Sequence, residues 1–86
     1  MPAFEFKVTP KQGTLSKTST VGGFTNEGDA EAFRILLEDL LFEATLTGLL
    51  TGFKIEPVQE SPDGHAEADD ESTLSSVFHQ LVESVR

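Results

Sequence analysis

Five side chains that could ligate a cation crowd one short stretch. Asp63, His65, Glu67, Asp69 and Asp70 all lie within Gln59 to Glu71, QESPDGHAEADDE. Oxygen-rich sets suit hard cations, but a calcium loop needs alternating acids, a turn glycine and a distal glutamate at fixed positions, and that spacing is missing. The stretch has no large apolar residue, and its Pro62, Gly64 and six acids give it the composition of a solvated, flexible acidic linker. No metal is assigned to it.

The other candidates for chemistry fail on spacing or position. Gly22-Gly23 follows a possible strand and precedes a helix, yet the phosphate-loop spacing and its lysine are absent, so the pair reads as a turn. His79 falls on the polar side of a helix and reads as a surface histidine. There is no Gly-x-Ser-x-Gly, no His-Glu-x-x-His, no dinucleotide fingerprint and no cysteine, which removes the familiar nucleophile, zinc and cofactor signatures. Acid–base work needs only two carboxylates in a pocket, but most carboxylates here belong to a helix surface or to the linker, where water screens them. The expectation is a protein without catalytic activity, cofactor or metal.

The elements that would position any site begin with the chain's densest apolar stretch, Asp29 to Leu50, DAEAFRILLEDLLFEATLTGLL. At about 100° per residue, Phe33, Leu36, Leu37, Leu40, Leu41 and Ala44 share one broad arc, the width of a core-facing helix. Ile35, Phe42 and Leu49 recur every seven residues on the opposite side, with Leu46 beside them and Glu31, Glu38 and Asp39 interleaved. A helix that is apolar on two sides is normally covered on two sides. Asn26 or Thr25 suits the start, and Gly52 suits the left-handed position past the end. Gly48 is costly inside a helix, by about 1 kcal/mol against Ala.

Around that helix the pattern predicts a small β-β-α-β-α domain of the α+β class. Phe4, Phe6 and Val8 alternate with Glu5 and Lys7 as a half-buried strand, and Thr9 to Gly13 reads as a turn. Thr14 to Val21 is a second, edge strand. Phe53 and Ile55 mark a third, closed by Pro57. The simplest packing is a three-stranded, largely antiparallel sheet with the helix across one face. Residues 1–58 would form this core, 59–71 the linker, and 72–86 a C-terminal amphipathic helix capped by Ser72. In that helix Leu74, Val77, Phe78, Leu81, Val82 and Val85 fill one stripe. It needs an apolar surface to dock on, either in its own chain or in a second protomer. Ile35, Phe42, Leu46 and Leu49 supply the expected surface, with Leu74, Phe78, Leu81 and Val85 as its counterpart.

Length, charge and hydropathy narrow the function classes. The 86 residues suffice for one domain, which at this size buries only about 60% of its unfolded surface. Apolar runs of no more than three residues, Ile35 to Leu37 and Leu40 to Phe42, predict neither a signal-peptide core nor a membrane span. Freedom from cysteine fits a cytoplasmic protein better than a secreted one. The net charge of −9 opposes direct binding to nucleic acid or anionic membranes and favours basic partner surfaces. The leading expectation is an acidic protein–protein interaction module, regulatory or assembling, that docks a protein partner or a second copy through apolar helix faces. The alternatives are an acidic mimic of nucleic acid that inhibits a basic enzyme, and a small ligand-binding or catalytic domain with an unfamiliar site.

Overall fold

The alternation that starts at Phe4 runs further than the sequence predicts. In the computed structural model, which describes residues 3–61 and 71–86, strand β1 spans Ala3–Gln12 and passes straight through Pro10. The chain continues through β2 (Leu15–Ser16), β3 (Ser19–Phe24), α1 (Glu27–Thr47), β4 (Gly52–Ile55), β5 (Gln59–Ser61) and α2 (Glu71–Glu83). This is an α+β fold with two helices and an antiparallel sheet. The sheet has five strands, not three. Every one of the other four pairs with β1.

Shared partners fix the layout. Lys11 pairs with both Ser16 and Gly52, Val8 with Ser19 and Ile55, and Phe4 with Phe24 and Glu60. Since a strand residue has one neighbour per side, β2 and β3 lie along one edge of β1, and β4 and β5 along the other. Both outer edges are interrupted for chemical reasons. Lys7 and Lys11 accept through their carbonyls from Glu56 and Thr51, so the backbone of Pro10 faces the β2–β3 side. There its missing N–H stands opposite Lys17 and Thr18, where the outer strand breaks. A Thr9–Thr18 hydroxyl contact of 2.9 Å bridges the gap. On the other edge the register advances by one residue between β4 and β5, around Pro57 and Val58. The first residues of the expected linker, Gln59–Ser61, are thus a strand; the rest of it, 62–70, with all five candidate metal ligands, lies outside the described residues.

Gly22 and Gly23 are not a turn either. They sit inside β3 at a register shift opposite Phe4 and Glu5. Gly23 takes φ +93°, which is strained for any residue with a Cβ. A Cβ at Gly22 would come within 3.2 Å of that of Glu5. The bulge lets Phe24 turn inward, where its ring lies 5.2 Å from Phe33 and 6.2 Å from Phe6. These three rings anchor the core between the sheet and α1.

Helix α1 starts at a well-formed cap. The Asn26 side-chain oxygen accepts from Gly28 N–H at 2.7 Å and Asp29 N–H at 3.3 Å, satisfying two of the donors that a helix start leaves open. Replacing Asn26 with Ala should lower the unfolding free energy by about 1 kcal/mol, read by urea denaturation, while Asn26→Asp should hold it near the parent value. The end lies earlier than expected. Gly48, not Gly52, takes the left-handed position, at φ +86°. The N–H of Leu49 then donates to Ala44 O at 2.9 Å, turning Leu50 into the core. Gln12 Nε2 donates to Leu49 O at 2.9 Å, and Gly13 N–H to Thr51 Oγ1 at 3.0 Å, so this stop is tied to the end of β1.

Ala30, Phe33, Leu37, Leu41 and Ala44 are the buried residues of α1. Leu36, expected among them, is 51% exposed. Helix α2 begins at Glu71, one residue before the expected Ser72 cap. It ends at Glu83, short of the expected Arg86; its Leu81, and Val85 just past its end, join the same core cluster as Phe6, Val8, Leu37 and Leu41, with Leu74, Val77 and Phe78 packed half-buried against it. The docking of this helix on Ile35, Phe42, Leu46 and Leu49 is therefore corrected. α2 closes the inner side of α1 together with the sheet, and the outer side stays open.

Candidate docking face

The outer side of α1 carries the largest set of exposed apolar residues among those described. Ile35 is 46% exposed, Phe42 56%, Leu46 71% and Leu49 48%, with Leu36 beside them. Why they point outward follows from the helix period. The buried set centres on Leu37, Ala44 and Leu41, and at about 100° per residue Ile35, Phe42 and Leu46 fall nearly opposite it. Leu49 lies past the left-handed Gly48, off the helix, and still faces water. Together these side chains expose on the order of several hundred Å², the range of the largest apolar patch on a typical monomer, which is often functional.

Only half of the residues expected at a docking surface are available for one. Leu81 and Val85 are 3% and 1% exposed, and Leu74 and Phe78 are half-buried against the core. Leu36 is exposed too, at the margin of the core-facing set, with Glu43 and Asp39 between it and Leu46 around the helix.

Acids surround and interrupt the patch. Asp39 lies in line with Ile35 and Phe42 and is exposed, and Glu43 is exposed beside it. Arg34 is the one cation of α1, and its guanidinium bonds to Glu31 and reaches Glu38 at 3.8 Å. The hydrogen bond from Arg34 holds the Glu31 carboxyl below its ordinary range, while the same bond raises Arg34 further. Because the folded value of Glu31 is depressed, this pair supports the helix above the normal glutamate range and weakens as pH falls through the folded value. Both groups are water-accessible, so the pair serves more to occupy Arg34 than to stabilise the fold.

The opposite side of the molecule has a different charge. All four lysines belong to the sheet region: Lys7 and Lys11 in β1, Lys54 in β4, and Lys17 between β2 and β3. Arg86 pairs with Glu83 at 2.8 Å. The fold thus separates a lysine-bearing sheet from an acidic, apolar outer helix face.

The described residues contain no group of three His, Asp or Glu side chains placed to hold a metal, and no buried side-chain polar atom among them lacks a partner. His79 lines a shallow open depression on α2 with Ser75, Ser76 and Gln80. No described helix is long and apolar enough to cross a membrane. No protein-family model, curated protein or solved structure matches the chain.

Proposed function

We propose that the chain is a non-catalytic protein–protein docking module, a small acidic component of an assembly that presents the outer face of α1 to a partner. One observation carries this reading: Ile35, Phe42, Leu46 and Leu49 remain exposed although α2 and the sheet already close the core. Burying such a patch gains roughly 25 cal/mol per Å², and apolar anchors lined up on one helix face, here Ile35, Phe42 and Leu46, are a recurring recognition surface. The acids around it favour solubility of the free chain and basic surfaces in the partner.

The test is the size of the tagged chain in native extract of the cells that make it. The parent chain should elute with a larger assembly. Phe42→Glu with Leu46→Glu should elute as the free 9.3 kDa chain with unchanged circular dichroism. A parent chain that elutes free, or a double variant that stays in the assembly, contradicts the reading.

A further inference from the structure

Resting on that docking role, we infer that the occupant of the outer α1 face is a single basic amphipathic helix, with a Lys or Arg set against Asp39. The exposed helical positions Ile35, Asp39, Phe42 and Leu46 step by four, three and four residues, the spacing of a coiled-coil seam, and the exposed Leu49 follows just past the end of α1. From Ile35 to Leu46 the seam is about 16 Å long at 1.5 Å per residue, so about three turns of a partner helix cover it. A partner that lies along this seam places one of its own seam residues against Asp39. Covering a carboxylate with apolar groups is strongly unfavourable, and a cationic partner residue there offsets that cost most fully.

Charge also separates a foreign helix from a second copy of this chain. Glu43 and Asp39 have no ion pair, while Arg34 is held by Glu31 and Glu38. The lysines lie on the sheet side of the molecule and Arg86 is paired with Glu83. α1 carries six acids, Glu27, Asp29, Glu31, Glu38, Asp39 and Glu43, against Arg34 alone. Two such faces brought together double the like charge and offer no free cation for either Asp39. A helix with Lys or Arg flanking its apolar seam meets both requirements at once.

The probe is a synthetic 21-residue helical peptide with leucines at seam positions, lysines on both flanks and one lysine facing Asp39. Its binding to the full chain is followed by fluorescence anisotropy beside two control peptides, one with glutamates for the lysines and one with alanines for the leucines. The inference expects the lysine–leucine peptide to bind at least about tenfold more tightly than either control. Asp39→Asn should weaken it several-fold, and Phe42→Glu with Leu46→Glu should abolish it. Equal binding of the lysine and glutamate peptides overturns the basic partner and leaves the docking face standing. Equal binding of the alanine control, lost at about 0.5 M salt, overturns both and favours the nucleic-acid mimic. If no peptide binds and light scattering shows a dimer that Phe42→Glu with Leu46→Glu dissociates, a second copy is the occupant and the inference fails. If no peptide binds and the chain is monomeric, the inference fails outright, and the extract experiment decides the docking role separately.

Discussion

Ending the chain at Ser61 is expected to abolish the native fold, with loss of amide dispersion in the ¹H–¹⁵N spectrum and of a cooperative urea transition. The truncation removes Leu81, Val82 and Val85, which are 3%, 8% and 1% exposed, along with the half-buried Leu74, Val77 and Phe78. What it uncovers matters as much. Phe6, Leu37 and Leu41 belong to the same cluster as Leu81 and Val85, so the remaining chain would present the heart of its core to water. Truncating one buried leucine to Ala typically costs about 2–5 kcal/mol, and the whole stability of a domain this size is only about 4–13 kcal/mol. Losing a full wall of the core exceeds what the rest can hold. A truncated chain with a dispersed, cooperative spectrum would make α2 an appendage, an arrangement that the sequence alone leaves open.

Leu37→Ala and Leu36→Ala should differ sharply although the two residues are adjacent. Leu37 is fully buried, whereas Leu36 is 51% exposed. The first change leaves a cavity between α1 and the sheet and should cost about 2–5 kcal/mol in urea unfolding. The second should stay within about 0.5 kcal/mol, as surface substitutions do. Similar losses for both would mean that α1 is rotated in solution toward the broader arc which its sequence suggests.

That pair also shows where sequence reasoning stops. Periodicity separates the inner and outer faces of α1, because Phe33, Leu37, Leu41 and Ala44 recur at helical spacing and Ile35, Phe42 and Leu46 recur opposite them. It does not fix the rotation to within one residue position, and Leu36 lies at the margin. Nor does it decide which side of α1 receives α2. Both faces of α1 are apolar, and α2 has one unbroken stripe that fits either. The choice depends on the sheet, which leaves part of the inner face uncovered, and no local pattern records that. The two strands beyond the expected three come from the break at Lys17 and Thr18, which splits β2 from β3, and from Gln59–Ser61 in the expected linker, while proline and glycine hide the true lengths of β1 and β3. Pro10 looks like a turn residue until the direction of its missing N–H is known. Gly22-Gly23 looks like punctuation until its partners in β1 are known. Pairing registers, not residue types, make the first a strand residue and the second a bulge.

The exposed apolar face of α1 is legible for the opposite reason. An exposed apolar stripe conflicts with the simple rule for a surface helix, and the conflict is visible in the residues themselves. The structure removes the explanation that the chain covers the stripe with its own C-terminal helix, and an external occupant is the account proposed for it.

The most direct measurement places a photo-crosslinking amino acid at position 42, on the outer face of α1, or at position 20, on the open face of the sheet, and compares adducts formed in the producing cells. The account predicts a discrete adduct with another protein from position 42, lost when Ile35 and Leu46 are changed to Asp, and none from position 20. No adduct from position 42, or equal adducts from both positions, would contradict it.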